Sequence, residues 1–549
     1  MKKLPIGIQN IETILKNGTY VYVDKTPFLL QLIEGDAPYY FLSRPRRFGK
    51  SLLINTLAEV FKGNKSLFKE CAIYHTEYDW QPYPVVLIDF YEIDTRNAIA
   101  LEESIKRYLH TLSRSLGVEI ETPTAAEGLK SLILQLREKY QQPVVVLVDE
   151  YDKPILRNLG RQPTLEEIRV ILEDFFGMLK SLGGALRFTF MTGVSRFSKV
   201  SLFTAPNNLE DITMDPTYAT MLGNTEEELV KAFDEHIQLI TQQKQVEQAE
   251  VLADIKQWYN GYRFSEAAAY VYNPFSTLKY MKLKKPKSYW YASGTPSFLV
   301  KELQNYPAGY IPLEELRVSE SELMDSSTVE AMDVKALMFQ TGYLTIEDYD
   351  DFGRLYALTF PNQEVREAFV DSLAKQFAPH IASFSQICYQ ALESMHLLPF
   401  FEAIEQTLSG FPYWLFSRER AEEASEQTSS PRERTYHMIL LSLLKGMGCS
   451  VAAEVPTNRG RIDLLLQTQG LTYIIEVKLY RSAEESLKQI HARGYHTPYL
   501  NQGKRVVLLG LNFSSTVRNV HGWLGEVLDH QGATIRYLNP NKDEKKSQA

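Results

Sequence analysis

Over the first two hundred residues, short apolar runs alternate with longer amphipathic stretches. Runs ending at 41–42 and spanning 85–90, 144–148 and 187–191 are apolar without alternation, the pattern of strands buried on both faces. The segments 104–116 and 165–182 carry the helical period. Together they predict a parallel α/β sheet with helices on both faces. From about 225 to 416 the period turns helical, interrupted by aromatic-rich turns: WYNGYRF at 258–264, VYNPFS at 271–276 and YWYASGTPSF at 289–298. A mainly helical middle region is expected there. The polar, proline-terminated stretch AEEASEQTSSP at 421–431 reads as a linker. Beyond it the pattern predicts a helix at 432–447, strands at 462–467 and 472–478, a helix at 482–494, a strand at 505–510, and a frayed charged tail. The expected organisation is therefore an α/β sheet domain at 1–224, a helical lid or middle region at 225–420, and a second α/β domain at 432–537.

A chain of 549 residues exceeds what one core organises, so two to four domains are expected. With 44% hydrophobic and 23% charged residues the composition is globular and leaves little room for disorder. The three cysteines, Cys71, Cys388 and Cys449, are far apart with no CxxC, which predicts reduced, buried thiols rather than disulfides or zinc. The N-terminus lacks an apolar signal core and no segment has the roughly 18 apolar residues that span a bilayer, so a cytoplasmic protein without a membrane partner is expected. A net charge of −9 excludes a generally basic nucleic-acid coat. The stretch 432–530 is different: twelve Lys and Arg against eight Asp and Glu give about +4, leaving about −13 elsewhere. A phosphate-facing surface is expected in that stretch.

Candidate chemistry sits at both ends. Arg44-Pro45-Arg46-Arg47-Phe48-Gly49-Lys50-Ser51 follows a predicted strand and opens a helix. In that setting backbone N–H groups at the helix start hold phosphate oxygens, Lys50 reaches the β- and γ-phosphates and Ser51 ligates magnesium. The first glycine of a Walker A loop is absent, because Arg44 occupies its place. The loop must turn differently, with Arg46 or Arg47 supplying phosphate contacts. About one hundred residues on, the apolar run 144–148 ends in Asp149-Glu150, as a strand does when one acid holds magnesium and the next orients water. A basic loop at a helix start and two solvated acids after a core strand are the plain alternatives.

RPRRFGKS at 44–51, VLVDEYDKP at 147–154, TGVSRFSKVSLF at 192–203 and NGYRF at 260–264, with VDKTPFL at 23–29, occur here in the order seen in the AAA-ATPase-like proteins of bacteria and archaea. The chain resembles that family over nearly its whole length. The resemblance implies an ATPase-like, P-loop-type fold, ATP and Mg2+ as cofactors, and Gly49, Lys50, Ser51, Asp149 and Glu150 at the nucleotide site. By position, Thr192 would sense the γ-phosphate and Arg196 would approach the nucleotide; polar residues closing a strand account for both equally well. The aromatic clusters, with LMFQTGYLTI at 337–346, read as helical-domain core.

Near the C-terminus, GRIDLLL at 460–466 precedes YIIEVK at 473–478. In a strand pair, Asp463 and Glu476 meet at one divalent cation, and Lys478, two residues after Glu476, shares its face. Two carboxylates holding magnesium beside a lysine suit phosphodiester hydrolysis, although amphipathic hairpins with these residues are common. With Glu433 and Tyr436-His437 on the preceding helix, Gln489 on the following one and Tyr495 beyond, the segment from about 432 to 537 resembles the PD-(D/E)XK nuclease superfamily. That likeness implies Asp463, Glu476 and Lys478 as catalytic positions, Gln489 as a supporting one and Glu433 as an additional acid. Glu454 is placed less securely. Arg459 and Arg461 read as backbone-phosphate contacts or a solvated turn.

His437, His491 and His496 lack zinc-ligand spacing, and no GxSxG elbow is present. The leading expectation is an ATP-regulated, Mg2+-dependent nuclease acting on DNA or RNA. The alternative is a nucleotide-dependent interaction or scaffold protein whose nuclease-like domain binds without cutting. Homo-oligomerisation is left open.

Overall fold

The computed structural model describes residues 1–196, 209–290, 316–324, 334–369, 385–409, 437, 440–441, 444, 450–479, 481–500, 502–514 and 516–540. The linker at 421–431, Glu433, the side chain of Glu454 and most of the aromatic segment at 289–298 lie outside them. Two compact units are present: Met1–Leu299 with Leu313–Arg366, and Val300–Pro312 with Glu367–Ala549.

The first unit is built on a five-stranded parallel sheet: β1 (Tyr39–Ser43), β2 (Val85–Asp89), β3 (Val144–Asp149), β4 (Leu186–Gly193) and β5 (Leu209–Asp211), in the order β2-β3-β4-β1-β5. Helices Ala98–Ser115, Ala125–Tyr140 and Thr164–Ser181 pack on the face formed by Phe41, Val86, Ile88, Val144, Val146 and Val148. On the other face Phe61, at the end of helix Lys50–Phe61, meets Phe188 at 5.0 Å, and Phe188 meets Tyr40 at 5.6 Å. Burial on both faces explains why these strands read as continuous apolar runs. Because β4 lies between β1 and β3, the residues that close these three strands form one edge, at the carboxyl ends where α/β sheets place ligands.

The middle region is largely helical. Helix Glu226–Lys244 starts at a reciprocal capping box between Thr225 and Glu228, and packs with Gln248–Tyr259 and Pro274–Leu283 around Leu229, Phe233, Ile237, Ile255 and Tyr259. One feature departs from the expectation. A three-stranded antiparallel sheet is inserted, with β6 (Leu316–Val318), β7 (Thr345–Asp350) and β8 (Leu355–Thr359) in the order β6-β8-β7. LMFQTGYLTI begins as the end of helix Val334–Thr341, turns at Gly342 with φ +86°, and runs into β7.

The second unit carries a six-stranded mixed sheet. Its strands are β9 (Ser450–Thr457), β10 (Gly460–Gln467), β11 (Leu471–Leu479), β12 (Arg505–Ser514), β13 (Asn519–Leu528) and β14 (Thr534–Leu538), in the order β14-β13-β12-β11-β10-β9. Only the β11–β12 pair of this sheet is parallel, and the helix Ala483–Arg493 makes the crossover it requires. That helix lies close on β12: a Cβ at Gly510 would fall 2.3 Å from the Ala483 carbonyl. β9, β13 and β14 extend the sheet beyond the strands read from the sequence. Of the expected helix at 432–447, His437, Leu440, Leu441 and Leu444 are described, and all four are buried in helical conformation.

No described helix is long and apolar enough to cross a membrane. Cys71 and Cys388 are free and buried, and Cys449 lies outside the described residues.

Candidate functional sites

At the carboxyl edge of the parallel sheet, β1 runs into the loop Arg44–Gly49. Gly49 adopts φ +101° and caps helix Lys50–Phe61, a left-handed conformation that suits glycine. The Lys50 side chain folds back into the loop. Its Nζ donates to the Arg44 carbonyl at 2.9 Å and the Pro45 carbonyl at 3.1 Å. Burial lowers the Lys50 pKa, against the opposing charges of Glu150, Asp149 and Asp152. Ser51 is half-buried in the first turn of the helix.

Across the edge, Asp149 closes β3. Its Oδ1 accepts from Thr192 Oγ1 at 2.6 Å and from the Glu150 N–H at 3.0 Å, while Glu150 itself turns at φ +52°. Two further acids belong here that the sequence reading passed over. Asp89 stands beside Asp149 in parallel register, and burial pushes its carboxyl up to about 6. Asp152 is buried, and its Oδ2 accepts from the N–H groups of Val194 and Ser195 at 2.9 and 2.7 Å. Burial moves this carboxyl up to about 6 as well. The signal for Asp89 was available, since it ends an apolar run as Asp149 does.

The three arginines of the loop go different ways. Arg44 is buried: Nη1 donates to the Ser43 carbonyl at 2.9 Å and the Thr213 carbonyl at 2.7 Å, and the guanidinium lies 4.2 Å from the Phe264 ring centre. The side chain at the absent glycine's place is thus part of the core. Arg46 offers its carbonyl to Trp290 Nε1 at 3.0 Å, and Arg47 is exposed with its guanidinium 5.0 Å from the Phe275 ring. Arg196 forms an ion pair with Asp211 at 3.0 Å, and its N–H donates to Gln340 Oε1. The aromatic motif is core, as expected, and reaches the loop as well. Tyr262 and Phe264 are buried, as core residues should be, but they pack edge-on against Phe48 of the loop at 4.8 and 5.5 Å. Gly342 completes the contact, since a Cβ there would fall 2.6 Å from Pro45 Cβ. They are core to the loop as much as to the helices.

In the second unit, Asp463 precedes Leu464, which pairs antiparallel with Ile475, the neighbour of Glu476. Its Oδ2 accepts from the Val477 N–H at 2.8 Å, and its carbonyl lies 2.6 Å from His437 Nε2. Glu476 is 1% exposed, and its Oε1 accepts from Lys478 Nζ at 3.0 Å and from Gln489 Nε2. Lys478 is half-buried, so the residue parity read from the sequence is realised as a direct contact. Tyr495 is buried beside this group, and a Cβ at Gly460 would fall 2.6 Å from its hydroxyl. Burial raises the Tyr495 pKa, and the charge of Glu476 raises it further. Arg459, Arg461, Lys488 and Arg493 are exposed around the sheet end, with Arg493 donating to the Arg459 carbonyl at 3.1 Å. Among the described residues no group of three or more His, Cys, Asp or Glu is placed to hold a metal ion. Of the expected acids, Glu433 lies outside the described residues.

A family model described as a predicted AAA-ATPase matches residues 5–203, and one for the PD-(D/E)XK nuclease superfamily matches residues 431–523. A relative from Azotobacter chroococcum mcd 1, the "Uncharacterized protein in vnfD 5'region", is 36% identical over 532 residues, covering 96% of this chain and 99% of its own.

Proposed function

Since the chain belongs to the family that joins an N-terminal AAA-ATPase-like domain to a C-terminal PD-(D/E)XK nuclease superfamily domain, we propose that it is an ATP-binding, Mg2+-dependent nuclease. We assign nucleotide binding to 1–224, a lid to 225–420 and phosphodiester hydrolysis to 432–537. The observation that carries the reading is the buried Glu476 carboxylate, anchored by Lys478 and Gln489, with the Asp463 carboxylate accepting from the N–H of the next residue, Val477.

Two carboxylates fit a magnesium ion, which takes one or two protein carboxylates and keeps water or phosphate oxygens in its remaining positions. A bound magnesium polarises the phosphodiester and lowers the pKa of its water. Asp463 and Glu476 hold it in this proposal. Lys478 pairs with Glu476 and offers positive charge to the developing phosphorane, while Gln489 fixes the Glu476 rotamer. Exposed Arg459 and Arg461 bind the nucleic-acid backbone.

In the first unit, the N–H groups after Gly49 face phosphate oxygens, and Lys50 exchanges its two loop carbonyls for the β- and γ-phosphates. Ser51 and Asp149 serve the magnesium of the nucleotide, and Glu150 orients water. Thr192 acts through Asp149. Arg46 and Arg47 flank the phosphates, and Arg196 must leave Asp211 to reach them.

One observation favours a second reading, an interaction protein whose nuclease-like domain binds without cutting: the described residues bring together fewer than three metal-ligating side chains. Cleavage of single- and double-stranded DNA and RNA with Mg2+, with and without ATP, separates the two. Product that is lost in both Asp463→Ala and Lys478→Ala supports the nuclease, and equal background in all three proteins supports the binding protein. ATP turnover that survives Lys50→Ala sinks the nucleotide assignment.

A further inference from the structure

A cavity of about 120 Å3 opens beside Gly49, on the flank of the Lys50–Phe61 helix. Its walls are apolar, formed by Val23, Leu52, Leu222, Phe233 and Leu278. They come from three parts of the first unit: the segment before residue 26, the first turn of the helix, and residues between 222 and 278. Three polar side chains in the lining are already committed: the Tyr22 hydroxyl is hydrogen-bonded to the Thr56 side chain and to the Lys25 backbone. Lys25 Nζ is held by both oxygens of Glu228 at 2.6 and 2.7 Å and by the Thr220 carbonyl at 2.8 Å, and Thr56 Oγ1 donates to the Leu52 carbonyl at 2.6 Å.

Asn224 is different. It lines the cavity, is 6% exposed, and its carboxamide makes no hydrogen bond among the described residues. Its backbone is fixed by a bridge to Tyr272, with N···O distances of 3.2 and 2.8 Å, and the next residue, Thr225, caps a helix. A buried carboxamide costs stability unless something completes its hydrogen bonds. It presents a donor and an acceptor side by side, the complement of the donor–acceptor edge of a purine, while the apolar walls suit the faces of a flat ring.

The geometry points to this cavity as the seat of the base of a purine nucleoside triphosphate, with Asn224 reading the base edge. The assignment rests on the reading of the Gly49–Ser51 loop as the phosphate site. The base and the phosphates then occupy opposite sides of the same glycine, and selectivity for the base resides in Asn224 and the apolar walls rather than in the loop.

Titration calorimetry of the full chain with ATP, CTP and inorganic tripolyphosphate, each with Mg2+, tests it. The expected result is tighter binding of ATP than of CTP or tripolyphosphate. Asn224→Ala should weaken ATP about tenfold and narrow its advantage over tripolyphosphate, whose own affinity stays within about twofold. Leu222→Trp, which fills the cavity, should abolish the advantage of ATP over tripolyphosphate. Wild-type affinity for ATP in both variants overturns the assignment, as does a parallel loss of ATP and tripolyphosphate, which places the defect in the loop. If wild type binds tripolyphosphate as tightly as ATP, the loop reading survives and the base pocket falls. If it binds neither, both fall.

Discussion

The hydroxyl of Thr192 donates to Oδ1 of Asp149 across 2.6 Å, joining the ends of β4 and β3 in a place where both side chains are buried. Removing the donor leaves a buried carboxylate with one fewer partner, a loss of about 1–3 kcal/mol. Thr192→Val conserves the shape of the side chain. It should lower the melting temperature of the first unit by a few degrees and cut ATP turnover about tenfold while leaving ATP affinity nearly unchanged. Steady-state turnover and calorimetric affinity measured on one preparation check this. A variant that loses binding and turnover in equal proportion contradicts it.

Restoring the glycine that the loop lacks should harm the protein. Arg44 donates to two buried carbonyls, lies over Phe264 and fills its own space in the core. Arg44→Gly deletes these contacts and leaves a void and unpaired carbonyls, for a loss of roughly 3 kcal/mol or more. Reduced soluble yield and a lower unfolding midpoint are expected, with no gain in nucleotide affinity. Tighter ATP binding by a stable Arg44→Gly protein would show instead that the arginine merely stands in for the glycine.

The first four parallel strands were legible because strands buried on both faces leave unbroken apolar runs, as in 144–148. Arg44 shows the limit of such reading: an arginine in a basic string looks like a solvated or phosphate-facing residue, and only the carbonyls of Ser43 and Thr213 make it a core residue. Likewise, NGYRF carries no sign that Tyr262 and Phe264 pack on Phe48, because that contact joins positions more than two hundred residues apart. Strands β13 and β14 escaped because half-exposed antiparallel strands mix polar residues into the pattern. In the C-terminal site, by contrast, the two-residue period alone put Glu476 and Lys478 on one face, where they now touch.

Glu364 makes stability depend on pH. It is fully buried, accepts from Ser276 Oγ at 3.0 Å and from the Trp290 N–H at 2.7 Å, and burial pushes its carboxyl from 4.5 up to about 7. The folded state therefore holds this proton more tightly than the unfolded chain. The resulting stability is fully present below about pH 4.5 and is lost as pH rises to about 7, by an amount on the order of 3 kcal/mol. Glu364→Gln keeps an acceptor without the charge. It should match wild type near pH 5 and exceed it near pH 8, as read from urea midpoints followed by hydrogen exchange in residues 334–366. An equal difference at both pH values rules out this origin.

Loss of cleavage in Lys478→Ala has two possible causes, because Lys478 also compensates a buried charge. Glu476 is 1% exposed on its side chain and Lys478 14%, with 3.0 Å between them. Deleting one partner of such a pair strands the other and destabilises by about 3–5 kcal/mol, whereas replacing both by neutral groups of similar size is often nearly neutral. The double substitution Glu476→Gln with Lys478→Met separates the two causes. The introduced carboxamide can still pair with Gln489, and the introduced thioether chain covers the same apolar surface as the lysine stem. Expected stabilities are wild type, then the double variant within about 1 kcal/mol, then Lys478→Met well below both, measured by denaturant unfolding of the full chain. Cleavage should be absent from single and double variants alike, because the hydrolysis proposed above uses both the carboxylate and the ammonium. A double variant that regains both stability and cleavage would mean that the pair is structural and that the hydrolytic groups lie elsewhere. One that stays as unstable as the single substitution would refute the coupling between Glu476 and Lys478.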